Sequence, residues 1–312
     1  MQRGVVGAFV IGVALCAAAA APVVARQQTT ADLLAAAGHY LDGFAQGVDG
    51  LVIAEDYVQQ SHLQVVMARH LKSDLTVTND PALGLVEFRD VFDVDGKPVR
   101  DRENRVIDLF THPNPNAMAQ AQRIVAEGAR FNLESTAVQR TLNLPMAALA
   151  FLRTSNQSRS VFDNKGSDSV HGRHATVLRF REKARPRLIG SKDEAAANGL
   201  FWIDPETGTL LQSELDLDTH IATTGVKASI VVTYRDVPAI GFWLPEEMTE
   251  TYTISNGQGA PMDAPRVVAT GGGAEQGPVL GTLSGHASYS DFRKFQISTE
   301  QGPAAAVPSQ HP

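Results

Sequence analysis

From about Leu51 to Ile297 the sequence alternates apolar and polar residues with a period of two, broken by one long interruption. Such alternation sends every second side chain to one face of a strand. It commits the chain to a sheet with a dry face and a wet one, to which helices are additions. The runs HATVLRFRE, GLFWIDPETGTLLQSELDLDTH, VKASIVVTYRDV, GFWLPEEMTETYTI and HASYSDFRKFQI are separated by turn residues rather than by helices. Runs of strands without strict strand-helix alternation favour antiparallel pairing. The expected class is therefore α+β: a strongly curved, mostly antiparallel sheet, an incomplete β-barrel, with an N-terminal covering helix and a helical insertion on the concave side.

The register is most explicit in LVEFRDVFDVDGKPVRDRENRVIDLF, where Asp95-Gly96 between two alternating runs predicts a two-residue turn with positive φ. That turn sets Val94 opposite Lys97, Phe92 opposite Val99, Asp90 opposite Asp101 and Arg89 opposite Arg102. It places Phe88, Asp90, Phe92, Val99 and Asp101 on one face. Two facing carboxyls among apolar neighbours must share a proton or meet cations. Arg100, Arg102, Arg105, Arg130 and Arg140 are close in sequence. The expected polar network is Asp90, Asp101, Arg102, Arg130 and Arg140. It reads either as a lattice that docks the insertion or as an acid-base pair. A second turn is predicted at DPETG, with Pro205 fixing it and Gly208 in the left-handed position.

Leu33, Leu34, Ala37, Leu41, Phe44 and Val48 recur at helical spacing, with Thr30 placed to cap, Asp32 suited to the first turn and Gly47 able to close the helix. The insertion, about 114–152, opens at Pro113 and Pro115. It carries the stripe Ala117, Ala121, Ile124, Gly128 and Phe131, then a short apolar helix from Pro145 to Leu152. A Gly- and Pro-rich stretch at about 256–285 predicts a mobile loop, and 301–312 a disordered tail. Residues 1–25 have the charged start, apolar run and small-residue end of a secretory signal peptide, with retention as an anchor or lipidation at Cys16 as the alternatives. This leaves a single domain over 29–300, expected in the periplasm or secreted, with no transmembrane helix after cleavage.

Composition narrows the chemistry. The net charge of -7 with scattered Lys and Arg leaves no basic stripe, so nucleic acid is not an expected partner. The single cysteine, Cys16, lies in the signal segment, so a processed chain has no thiol chemistry and no disulfides. No GxSxG, GxxxxGK[ST] or HExxH occurs. His171 and His174 fall in a Gly-containing turn, and Glu214, Asp216, Asp218 and His220 line the wet face of a strand. No catalytic residue, metal or cofactor is assigned.

The segments FWIDPETGTLL, VTYRDVPAIGFWLPEEM and SYSDFRKFQI resemble the periplasmic lipoprotein-carrier family, the LolA/LolB-like fold, over about Gly199 to Ile297. RDVFDVDGKPVRDR, ARFNLE and RTLNLP, together with YSDFRKF, resemble a group of uncharacterised exported bacterial proteins. The first resemblance implies an unclosed barrel whose concave face takes acyl chains or similar lipophilic molecules. The expectation is thus a non-enzymatic envelope protein that holds such a ligand, with Phe92, Phe131, Phe151, Trp202, Phe242 and Trp243 as candidate lining residues. Two alternatives stand beside it: an envelope protein-protein interaction or scaffold module with a filled core, and a hydrolase built on Asp90 and Asp101.

Overall fold

A computed structural model describes residues 28–63, 65–80, 84–99, 123–124, 126–133, 143–189, 196–221, 224–256 and 279–294. The expected signal segment, Asp101, Arg102, Arg140, most of the insertion, residues 257–278 of the expected loop and the expected tail lie outside them. The elements are α1 (Thr30–Gly47), β1 (Leu51–His62), β2 (Val66–Asp80), β3 (Gly84–Val94), β4 (Lys97–Pro98), β5 (Ser160–Val170), β6 (Arg173–Glu182), β7 (Asn198–Ile203), β8 (Leu210–Ile221), β9 (Thr224–Val237), β10 (Phe242–Asn256) and β11 (Val279–Lys294). A 3-10 turn occupies Ala147–Phe151.

Helix α1 buries Leu33, Ala37, Leu41 and Phe44, the stripe read from the spacing. Its cap is Thr29, one residue before the expected Thr30. The Thr29 hydroxyl accepts the Asp32 N–H at 3.1 Å, and the Asp32 carboxylate accepts the Thr29 N–H at 3.1 Å. The reciprocal pair needs an acid three residues after the cap; from Thr30 that place is held by Leu33.

The strands form one sheet in the order β4-β3-β2-β1-β11-β10-β9-β8-β7-β6-β5, each pair antiparallel. Its curvature follows from α1, which contacts both β2 and β5. Those strands are eight spacings apart in the order, about 38 Å in a flat sheet, whereas a helix of 18 residues is only about 27 Å long and about 10–12 Å across. The sheet therefore curls around α1 and stops short of closure, with β4 and β5 as its unjoined ends: an α+β incomplete barrel, as expected. One continuous core on the inner face runs from Leu71, Leu75 and Val91 through α1 to Leu178, Phe180 and Phe201.

The Asp95-Gly96 turn is present, with φ of 54° and 76°, Val94 opposite Lys97, and the Val99 N–H donating to the Phe92 carbonyl at 2.9 Å. The single shared face is not. Lys72 lies opposite Asp93 but Ser73 lies opposite Val91, so Phe92 is an extra residue that breaks the alternation. Phe88 and Asp90 thus fall on the outer face, where Phe88 meets Ile124, while Val94 and Val99 pack toward the inner core. The DPETG turn forms with Gly208 at φ 73°. Strand β5 was not expected: SVFDNKGSDSV is a mostly exposed edge strand with no apolar alternation to announce it.

The described part of the insertion crosses the sheet edge at β3. Ile124 covers Phe88 outside. Gly128 passes so close that a Cβ there would stand 2.5 Å from the Arg89 carbonyl oxygen. The Leu133 N–H then reaches Gln59 on the inner face at 2.7 Å. The stretch after Asn143 lies on the inner face, where Met146, Ala148, Leu149, Phe151 and Leu152 join the core.

Candidate functional site

Along the inner face, apolar residues should fill every second position of β1. They do at Leu51, Ile53 and Tyr57, but Glu55, Gln59 and Ser61 occupy the same side and are buried. Around them lies a belt of polar groups. The Arg89 guanidinium engages Glu55 with two bonds, Nε to Oε2 at 2.6 Å and Nη2 to Oε1 at 2.8 Å, and stacks 4.9 Å from the Tyr57 ring centre. Ser73 and Tyr289 donate to the same carboxylate at 2.6 and 3.1 Å. Further along, Glu250 accepts the Tyr57 hydroxyl and, at 2.8 Å, the Tyr252 hydroxyl.

The belt also fastens the insertion. Arg89 Nη2 donates to the Asn143 carbonyl at 2.6 Å, and Asn143 Nδ2 donates to the Tyr57 hydroxyl at 3.0 Å. Glu87 accepts the Met146 N–H at 3.1 Å, and Gln59 Nε2 donates to Asn132 at 3.1 Å.

Burial sets the protonation of this belt. Desolvation pushes the Glu87 carboxyl up to about 8; the Met146 N–H and Arg89 oppose the shift, and Glu55 adds to it. Glu250 is likewise pushed to about 8 by burial and the Glu55 charge, against the Tyr252 hydroxyl. Burial works against the Arg89 charge, but Glu55 outweighs it and the guanidinium is held protonated more firmly than usual. The Tyr289 hydroxyl is raised by burial and by Glu55. Each of these side chains is nearly or wholly closed to solvent.

Beyond the belt, at the end of the sheet away from α1, lies a second apolar group made of Val226, Tyr252, Ile254 and Leu283 with Leu63 and Ala228 against them. It is separate from the main core. The adjoining rim is apolar and open: Val65 is 65% exposed, Val66 72%, Met67 47%, Val279 61% and Leu280 50%. The pairing of His62 with both Val66 and Thr282 brings these two segments side by side.

The residues expected to line a ligand fall into two groups rather than one: Phe131, Phe151, Phe242 and Trp243 in or against the main core, and Trp202 in an outer group that Trp243 also touches. Phe151 is fully buried and stacks on Phe180 at 4.7 Å, with Phe201 stacked beyond it at 4.8 Å. Phe242 meets Phe44 on α1 edge-on at 5.7 Å, and Phe131 packs at the core margin under Arg130. Phe92 is the half-buried bulge residue. Trp202 faces outward in a separate group with Val170, Val177 and Leu211, joined by Trp243, over which Arg173 stacks at 5.2 Å. Of the expected polar network, Asp90 is buried opposite Asp74 on the outer face and Arg130 is exposed; Asp101, Arg102 and Arg140 are outside the described residues.

Reading from sequence missed Glu55, Glu87, Arg89 and Glu250. The available signal was their place: charged residues at the positions where β1, β3 and β10 should turn an apolar side chain inward. Among the described residues no group of His, Cys, Asp or Glu is arranged to hold a metal, and no helix is long and apolar enough to cross a membrane.

The class that emerges is an incomplete single-sheet barrel whose inner face is divided by a polar belt. No family model matches the chain, and no curated protein matches it. Among solved structures, a candidate outer membrane lipoprotein-sorting protein domain from Vibrio parahaemolyticus is 13% identical over 85% of this chain and 94% of its own, with a TM-score of 0.31. A DUF1329 family protein from Desulfovibrio piger is 10% identical over 86% and 95%, with a TM-score of 0.33. A LolA superfamily protein from Nitrosomonas europaea is 10% identical over 86% and 94%, with a TM-score of 0.31. The chain is similar to these in fold.

Proposed function

We propose that this is an exported envelope protein that binds a lipophilic molecule on the inner face of its sheet, at the end beyond the polar belt. One observation carries the reading. Five of the seven large apolar side chains exposed among the described residues lie on one rim, and that rim leads to an apolar group separate from the main core. Exposed apolar surface of this kind, continuous with an apolar interior, is the usual mark of a binding groove or an interaction surface. The address differs from the aromatic residues first considered, because the half of the face around α1 is filled by its own side chains.

The test is uptake of a fluorescent acyl probe, dansyl-undecanoic acid, by the mature protein after solvent extraction. Saturable binding is expected, and Met67→Glu, opposite the inward Ser61, should weaken it on the order of tenfold, about 1.4 kcal/mol, with unchanged circular dichroism. A protein that arrives without lipid by native mass spectrometry and takes up no probe is not a carrier. That result would favour the second reading, an envelope interaction module, which the filled half around Phe151, Phe180 and Phe201 supports.

A further inference from the structure

Three ionisable side chains meet in one buried group on the inner face: Glu55 from β1 with Glu87 and Arg89 from β3, none more than 8% exposed. The group has one guanidinium for two carboxyls. Arg89 gives both of its bonds on the carboxylate side to Glu55 and a further one to the Asn143 carbonyl. Glu87 takes a main-chain partner, the Met146 N–H. Around Glu87 stand Glu55 from β1, Arg89 from its own strand, Tyr289 from β11, Tyr234 from β9 and the Met146 N–H from the insertion. The residues after Met146 are Ala148, Leu149, Phe151 and Leu152, which fill the inner face.

We propose that Glu87 is a proton-operated latch: carrying its proton it seats residues 143–152 on the sheet, and on losing the proton it favours a state in which that segment has lifted and the carboxylate stands in water. The physical ground is the charge count. Among the described residues, a second anion beside Glu55 has one main-chain N–H and a share of an Arg89 charge already engaged by the Glu55 carboxylate. Lifting the segment returns the carboxylate to solvent. Seated, the carboxyl is pushed up to about 8; lifted, it returns to its ordinary value of 4.5. Linkage then fixes the behaviour. The ratio of lifted to seated segment rises by about tenfold for each pH unit between those two values and is flat outside them, so the latch works across the mildly acidic to neutral range. It operates without a ligand and is independent of what the far end of the face binds.

The experiment is backbone hydrogen exchange on the mature protein across about pH 5 to 8, corrected for intrinsic chemistry. Protection of the Met146 to Leu152 amides should fall by about tenfold per pH unit and stay well below that of the α1 amides of Leu41 and Phe44, which open only with the whole molecule. Glu87→Gln should remove the slope, and Glu250→Gln should keep it. Protection that ignores pH in the wild-type chain overturns the proposal, as does the same slope surviving in Glu87→Gln. Should Glu87→Gln fail to fold, carbon-13 NMR of the wild-type Glu87 carboxyl decides: a midpoint at the ordinary glutamate value overturns the latch, and a raised one that tracks the exchange supports it.

Discussion

Around α1 the inner face is closed by Phe44, Phe151, Phe180 and Phe201, while a short way along the same sheet it carries Glu55, Tyr57, Gln59 and Glu250. Both regions exclude water almost completely, but by different means. Each phenylalanine removed from water contributes on the order of 2–3 kcal/mol whatever the pH. The belt gains from Coulomb attraction and hydrogen bonds, set against the cost of desolvating several ionisable groups, so its net contribution is small and conditional. The contrast teaches that equal burial does not mean equal stabilisation. The apolar region supplies the free energy of folding, and the belt decides how the insertion is seated and at what pH.

The largest effect expected to sharpen this contrast is that of pH on global stability. Glu87 and Glu250 have folded values near 8 against an ordinary 4.5, so the folded state holds their protons longer than the unfolded chain does. Their favourable contribution is complete below the ordinary value and is lost as pH rises through the folded one. Urea unfolding should therefore show stability falling by roughly 1.4 kcal/mol per pH unit for each group across this window. A flat profile would make the belt behave like the apolar half.

Next in size is Arg89→Ala. It strands Glu55 in a dry site and should cost about 3–5 kcal/mol at neutral pH, whereas the double replacement Glu55→Met with Arg89→Leu should recover part of that loss, the remainder reflecting the bonds it removes from Ser73, Tyr289 and Asn143. If the double variant is as damaged as the single one, the ion pair contributes net stability. The smallest effect concerns the apolar side. Thr29→Ala removes the hydroxyl's two bonds with Asp32 but keeps the one from the Thr29 main-chain N–H, and should lower stability by about 1 kcal/mol in thermal unfolding, with no dependence on the belt.

Much of the fold was legible because local chemistry dictates it. Asp95-Gly96 and Asp204 to Gly208 specify their turns, Leu33 to Phe44 specify a one-sided helix, and long alternation specifies an antiparallel meander. The extra residue at Phe92 was not legible. A bulge leaves no mark in the alternation of one strand and shows itself only against its partner, β2. That missed shift explains the choice of Asp90 over its neighbours: the unbroken register joins Phe88 and Asp90 to Phe92 and Val99, and it leaves Glu87 and Arg89, the charged residues that do turn inward, on the opposite face. Edge strand β5 was hidden for a related reason, since a strand that buries little needs no apolar rhythm. The belt itself joins β1, β2, β3, β10, β11 and the insertion, and no spacing within one segment could reveal a group assembled from six.

The pairing of Tyr57 with Ala287 places the seam between the first and last strands near the middle of the sheet rather than at its margin. The chain cannot complete its sheet as it emerges. Until β11 is available, β1 and β10 each present a long unpaired edge, and the Tyr289 hydroxyl has not yet reached Glu55. Contacts of such sequence separation close late and slowly, and they expose edges prone to pairing with other chains in the meantime. A truncation between Asn256 and Val279 would therefore leave two open half-sheets instead of a shortened barrel, and such a chain would depend on chaperones to avoid self-association.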